Sequence, residues 1–202
     1  VNLPLMPDRS NSNVNYLIAT VRHLGGGSYE QVSKMCRTAN SKMMGTGVGV
    51  RDAALANVPP IVERLEVDSQ TGRVKSSGHL QLWGLRPEAE VYTARFPRSL
   101  EETRELPFSE WIIDMDHDGE KGVAMYATGL ASGRFSGIQR KRLDWIGQMV
   151  NPNRMIGVVS MSKESLVLSS TSRFLKAGRY KAAQSSGGAS ENFFEAIRVP
   201  EG

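Results

Sequence analysis

The most specific chemistry in this sequence lies in an acidic turn, Asp114-Met-Asp116-His-Asp118-Gly119-Glu120. Aspartates at alternate positions followed by a glycine match the start of a calcium-binding loop, in which carboxylate oxygens surround one ion and the glycine allows a sharp bend. The match ends at position twelve, counted from Asp114, where Met125 replaces the bidentate glutamate that an EF-hand requires. The sequence therefore argues against an EF-hand.

Two interpretations of the acidic turn remain open. In the first, Asp114, Asp116, Asp118 and Glu120 bind Ca²⁺ in a β-hairpin loop, with a further carboxylate from elsewhere if one is needed. In the second, the turn is solvated and Asp118-Gly119 simply forms the bend, since Asp-Gly is among the strongest hairpin signals. Ca²⁺ is the cofactor that this calcium-loop pattern suggests.

The same carboxylates could instead hold Mg²⁺ in a nuclease or a phosphotransferase. Such a site needs acidic residues on adjacent strands with a lysine nearby, which Glu63, Glu66, Asp114, Asp116 and Lys121 could supply. Their spacing alone does not select them. The sequence also lacks the G-x-S-x-G, C-x-x-C and H-E-x-x-H motifs. The prediction is that the chain is not an enzyme, with a metal-dependent nucleic-acid enzyme as the alternative.

The basic residues are concentrated in the segment 134–181. It holds ten lysines and arginines against two acidic residues, so it carries +8 in a chain whose net charge is +4. Clustered positive charge attracts polyanions through counterion release, and the interleaved Phe174 and Tyr180 suit base stacking. The residues predicted to contact the anion are Arg134, Arg140, Lys141, Arg142, Arg154, Arg173, Lys176, Arg179 and Lys181.

The predicted anionic partner is a nucleic acid, with RNA favoured over DNA, or an anionic membrane surface. No small-molecule substrate is predicted. Charge asymmetry of this kind is evidence about partners and carries no information about the fold.

Two segments have the apolar periodicity of helices. In the first, Ser28 resembles an N-cap with Gln31 completing a capping box, and apolar residues recur at helical spacing as far as Met43. In the second, over 136–150, an apolar stripe flanks the basic triplet 140–142. The sequence therefore predicts two α-helices.

The rest of the pattern favours strands. A hairpin is predicted from 61–67 and 73–83 around the turn 68–72, and 15–24 is apolar enough for a strand or a short helix. Further strand candidates are 90–96, 110–115, 121–128, 154–161, 165–169 and 192–199. Without βαβ alternation, the expected fold is mainly β or α+β, an antiparallel sandwich, jelly-roll-like or barrel fold with about two α-helices.

The expected organisation is an extended N-terminal arm over 1–14 and one β-rich domain over 15–202, long enough to bury a core. A single cysteine, Cys36, excludes an intramolecular disulfide, and no apolar run approaches the roughly 20 residues of a membrane span. An intracellular or virion location is expected. The missing initiator Met suggests a processed, trimmed or polyprotein-derived chain.

These features together fit a self-assembling structural protein that forms a homo-oligomer and binds a polyanion. An arm can be exchanged between neighbouring subunits, cations can face nucleic acid, and an acidic loop can join subunits through a divalent ion. A viral coat (capsid) or matrix protein is the most concrete version. A monomeric RNA- or DNA-binding module is a further alternative.

Overall fold

The computed structural model describes residues 13–40, 47–50, 52–88, 91, 94–129, 132–173, 175–184 and 192–200. In this part of the chain, eleven strands form one antiparallel sheet, accompanied by two short α-helices. The prediction of a mainly β, antiparallel fold is therefore confirmed. The predicted arm lies outside the described residues except for its last two positions, which begin the first strand.

The strands are β1 (Asn13–Gly25), β2 (Ser28–Asn40), β3 (Gly47–Val50), β4 (Ile61–Asp68), β5 (Arg73–Ser76), β6 (His79–Trp83), β7 (Val123–Thr128), β8 (Gly133–Asn151), β9 (Arg154–Ser170), β10 (Gly178–Gln184) and β11 (Phe193–Ile197). The helices are α1 (Asp52–Asn57), a 3₁₀ turn (Glu102–Arg104) and α2 (Phe108–Trp111).

The long hairpin of β8 and β9 forms the centre of the sheet. One edge of β8 pairs with β9, and the other pairs in succession with β7, β6 and β5. Strand β5 leads on to β4, β2 and β1, while β7 pairs with β3. Because β2 also contacts β3, the two flanks approach each other and the sheet curves around an inner face.

Each face of the sheet is covered differently. On the inner face, α1 packs Ala54 and Leu55 against Trp83 of β6 and Val123 of β7. A second inner cluster joins Leu65, Val74 and Trp145 at the other end of β8. On the outer face, the segment 85–112 packs against Ile138 of β8, and the face beyond it carries exposed apolar residues.

Both predicted helices are wrong: residues 28–40 form strand β2, and 136–150 lie within strand β8. In β8 both faces are buried, with Ile138 under the segment 85–112 on the outer face and Phe135 and Trp145 on the inner face. A strand buried on both faces has no strict alternation of apolar and polar residues, so its pattern resembles a helical one.

Several strand predictions are confirmed, including the hairpin around 68–72, the strand within 121–128 and the strand within 192–199. The candidates 154–161 and 165–169 form one continuous strand, β9. Two others are wrong. Residues 108–111 form α2 where a strand was expected to begin, and the described part of 90–96 contains no strand.

Two glycines in the β8–β9 hairpin make room for an aromatic ring. Gly147 and Gly157 are directly paired, and Phe194 of β11 packs over them with its ring edge against Trp145. A Cβ atom at Gly147 would lie 3.1 Å from Cζ of Phe194, and one at Gly157 would lie closer still. The absence of side chains at both positions therefore fixes where β11 docks.

Candidate functional site

A buried polar network on the inner face is centred on Glu63 of β4, which is 4% exposed. Its carboxylate bonds to Nδ1 of His79 at 2.6 Å and accepts hydrogen bonds from Oγ of Ser76 at 2.7 Å and from Nε1 of Trp145 at 3.2 Å. Gln31 donates a fourth, at 3.3 Å. Burial acts to raise the pKa of Glu63, but these bonds and the charge of His79 outweigh it and lower the pKa overall.

The acidic turn forms a compact loop around three carboxylates. Oxygens from Asp114, Asp116 and Asp118 lie within 4.8 Å of one another. Asp114 accepts hydrogen bonds from the backbone N–H groups of Asp118 at 3.2 Å and of Gly119 at 2.8 Å. Gly119 has φ +89°, a conformation that favours glycine. The fourth predicted ligand, Glu120, is not in this group and instead contacts Ser169.

Part of the negative charge of the loop is neutralised by an arginine from the sheet. Arg134 of β8 forms an ion pair with Asp118. Oδ1 of Asp116 is buried and has no hydrogen-bond partner among the described residues. Burial raises the pKa of Asp116, and the negative charges of Asp118 and Asp114 raise it further, against hydrogen bonds from the backbone N–H groups of Ala124 and of Asp116 itself. The guanidinium of Arg134 thus neutralises Asp118 and leaves Oδ1 of Asp116 without a partner among the described residues.

Replacing Arg134 by glutamine is expected to lower the melting temperature at pH 8, because three neighbouring carboxylates lose their internal counter-charge. The two interpretations of the loop then differ. Added Ca²⁺ restores the melting temperature of R134Q if the aspartates bind the ion and leaves it unchanged if the loop is only a solvated turn. Arg173→Gln, at an exposed arginine, is the matched control.

The residues that a Mg²⁺-dependent enzyme would need are not brought together. Glu63 and Glu66 lie on opposite faces of β4, the first buried and the second exposed. Lys121 donates a hydrogen bond from Nζ to the carbonyl oxygen of Ser109 at 2.6 Å. Among the described residues, the only acidic group gathered closely enough to hold a metal is that of the three aspartates in the loop.

The predicted anion-binding residues are spread over both faces of the sheet, and four of them form ion pairs. The pairs are Arg134–Asp118, Arg140–Glu164, Arg142–Asp144 and Arg154–Glu195. In the triplet 140–142, the middle residue points to the face opposite its neighbours because the segment is a strand. Arg173 and Lys176 are exposed, whereas the side chains of Arg179 and Lys181, in β10, lie outside the described part of the structure.

These ion pairs could not be predicted from the sequence, because two of the carboxylates belong to segments outside 134–181. Asp118 lies in the acidic loop and Glu195 in β11. Arg140 also donates hydrogen bonds to the carbonyl oxygens of Val91 and Ala94, so it anchors the segment that covers the outer face. Two of the eight net positive charges counted over 134–181 are therefore paired with carboxylates from outside that segment.

Strand β1 is an edge strand with an unusual amount of exposed apolar surface. It pairs with β2 along one edge, and within the described residues no strand pairs with its other edge. Every side chain described from residue 14 to residue 24 is exposed. Six of these side chains are large and apolar, with exposures from 42% to 69%: Val14, Tyr16, Leu17, Ile18, Val21 and Leu24. An edge of this kind is a template for pairing with another chain.

A second apolar surface lies on the outer face near the tip of the β8–β9 hairpin, and we call it the hairpin patch. Its residues are large, apolar and exposed: Ile146, Ile156, Val158, Phe193 and Ile197. A shallow groove of about 530 Å³ runs over it. Contiguous exposed apolar residues of this kind are typical of surfaces that contact other proteins.

Comparisons with protein-family models, with curated protein sequences and with solved structures found no similarity to this chain. In the described part of the chain, none of the helices has the length and apolar character to cross a membrane.

Proposed function

We propose that this chain is a self-assembling structural protein whose subunits join by antiparallel pairing of strand β1 with β1 of a second copy. The observation that carries the proposal is the apolar edge of β1. Natural proteins usually protect edge strands by making them short or by placing lysine or proline on them. β1 has thirteen residues and contains neither lysine nor proline.

The length of this edge suits a stable interface. A strand of thirteen residues extends for about 43 Å. Pairing two such edges can supply backbone hydrogen bonds close to the roughly ten direct hydrogen bonds of a typical protein interface. The apolar side chains on both faces of β1 would gain apolar cross-strand neighbours at the same time, which buries part of their surface.

The charge pattern of β1 is compatible with two-fold pairing. Arg22 is the only formally charged residue in the strand, and it already pairs with Glu30 of β2 at 2.9 Å. In a register centred on Ile18, Arg22 of one subunit faces Val14 of the other, and Tyr16 faces Thr20. No like charges are opposed. A two-fold interface of this kind uses the same residues from both subunits.

The hairpin patch provides a second surface, so such a dimer need not be the final assembly. A viral coat or matrix subunit, the most concrete form of the sequence-based prediction, would need contacts of more than one kind. Binding of a polyanion remains part of that proposal, but it rests mainly on the net charge, because the described arginines of 134–154 are largely ion-paired.

The test is the mass of the protein in solution, measured by size-exclusion chromatography with light scattering. We expect a dimer or a larger species for the unmodified chain and a shift to monomer for Ile18→Lys, because the added charge opposes pairing of the edge. Val62→Lys is the matched control, since Val62 is also exposed and apolar but lies on β4, between two paired strands.

Ile18 is exposed, so its substitution should leave the melting temperature of the subunit itself little changed. A strict monomer for the unmodified chain at high concentration and at several salt concentrations would contradict the proposal. An unchanged oligomer mass for Ile18→Lys would contradict the role of β1.

A further inference from the structure

Three nitrogen-bearing side chains lie side by side on the inner face of the sheet. Gln81 of β6 pairs in register with Lys141 of β8, and Lys141 pairs with Lys163 of β9. Trp83, two residues after Gln81, points to the same face. The ammonium group of Lys141 lies 4.3 Å from the centre of the Trp83 ring. Strand geometry thus gathers two cations and two N–H donors at one place.

Among the described residues, the N–H donors of Gln81 and Trp83 have no acceptor. Gln81 is 5% exposed and Trp83 is 3% exposed. Within the described residues, Nε2 of Gln81 and Nε1 of Trp83 are buried without a hydrogen-bond partner. Neither lysine forms an ion pair with a described carboxylate. Buried donors that lack acceptors are costly and uncommon in folded proteins.

The charges in the cluster are also uncompensated. Burial lowers the pKa of Lys141 to about 7, and the nearby positive charge of Lys163 lowers it as well. Burial lowers the pKa of Lys163 too. The buried carboxylate on this face, that of Glu63, is already bonded to four other side chains.

We infer that Gln81, Trp83, Lys141 and Lys163 form a binding site for a small oxyanion, a phosphate or a carboxylate group. The unpartnered nitrogens of these residues offer hydrogens, and an oxyanion supplies both the acceptor oxygens and the negative charge that they lack. Hydrogen bonds between charged partners are the strongest class available in such a site. The bound anion would also stabilise the protonated form of both lysines.

The site is accessible to a small molecule. Lys141 and Lys163 are partly exposed, as are Gln139 and Ser165 beside them on the same face. Lys141, which was predicted from the sequence to contact a polymeric anion, lies on the concave inner face of the sheet. The inference is independent of the proposed assembly through β1.

The experiment is an NMR titration of the unmodified protein with inorganic phosphate and, in parallel, with acetate, at constant ionic strength set by chloride. The indole N–H signal of Trp83, assigned with Trp83→Phe, reports on the site, and Trp111 and Trp145 serve as internal references. We expect a saturable shift of the Trp83 signal with at least one of the two anions. Their relative affinities identify the class of oxyanion.

In Lys141→Met the affinity should fall about ten- to a hundredfold, the effect expected for losing a hydrogen bond between charged groups. Lys75→Met, on the exposed outer face of β5, should leave it unchanged. Gln81→Leu provides a second variant and should also weaken binding. No saturable shift with either anion up to tens of millimolar would overturn the inference, and so would a shift that persists unchanged in a folded Lys141→Met protein.

Discussion

Glu63→Ala is expected to destabilise the fold by about 3–5 kcal/mol, the range for breaking a buried charged pair by removing one partner. Glu63 bonds to four side chains from four other strands, including His79 and Trp145. Alanine leaves the imidazole of His79 and the indole N–H of Trp145 buried without an acceptor, and it opens a cavity between them.

The measurement is the free energy of unfolding from chemical denaturation at pH 7. Glu66→Ala is the matched control, because Glu66 lies on the exposed face of the same strand, and its effect should stay within about 0.5 kcal/mol. Glu63→Gln should fall between the two, since it keeps an acceptor oxygen but loses the charge. A cost below about 1 kcal/mol for Glu63→Ala would show that the network contributes little.

The same residue predicts a dependence of stability on pH. The pKa of Glu63 in the folded protein is lowered below its ordinary value of 4.5. Its contribution is therefore fully present above pH 4.5 and is lost as the pH falls through the lowered pKa. The stability difference between the unmodified chain and Glu63→Gln should accordingly shrink in acid.

Lys141→Met is expected to stabilise the protein, and the gain should depend strongly on pH. The pKa of Lys141 is lowered from 10.5 to about 7 in the folded state. Below pH 7 the folded protein must hold a buried ammonium, which methionine removes. Between pH 7 and 10.5 the lysine is neutral when folded and protonated when unfolded, so the stability of the unmodified chain rises with pH.

The gain in unfolding free energy from Lys141→Met is therefore greatest below pH 7, on the order of a few kcal/mol, and it declines as the pH approaches 10.5. Lys163 of β9, His79 of β6 and Glu63 of β4 also lie on this face, and all three are retained in the variant. The melting temperatures of both proteins at pH 6 and pH 9.5, in buffer free of phosphate and carboxylates, provide the test.

Lys75→Met serves as the control for that series, because Lys75 is exposed on β5 and should show no such dependence on pH. A Lys141→Met protein that is less stable than the unmodified chain at pH 6 would contradict the expectation. So would a difference in melting temperature that stays constant between the two pH values.

The sequence predicted the local structure correctly where residues within one short segment determine it. The hairpin around 68–72 formed as predicted, because Asp68 accepts hydrogen bonds from Gln70 and Thr71 and Gly72 has the positive φ that the turn needs. The three aspartates of the acidic turn also converge as their alternate spacing indicated. Both features depend on residues within a few positions of one another.

For the two predicted helices, local apolar spacing did not predict the secondary structure correctly. The segment 136–150 carries apolar residues at a spacing that a helix and a strand buried on both faces can share. The described part of 28–43 forms β2, whose side chains are mostly exposed or only partly buried, although its apolar spacing resembles that of a helix. Pairing with strands distant in the sequence determines the extended conformation of both segments. Strand β2 pairs with β1 and β4, and strand β8 pairs with β5, β6, β7 and β9. Backbone hydrogen bonds to those strands replace the ones that a helix would have made internally.

Composition and spacing alone indicate that the chain is rich in β-structure, that four of its 21 acidic residues lie in one turn and that its positive charge is concentrated after residue 134. The folded sheet is needed to see that Arg134 neutralises Asp118, that Lys141 faces inward beside Gln81, and that β1 lies at an edge of the described sheet. The physical reason is the same in each case. Charge compensation, burial and edge position depend on which distant strands become neighbours, and composition and spacing do not contain that information.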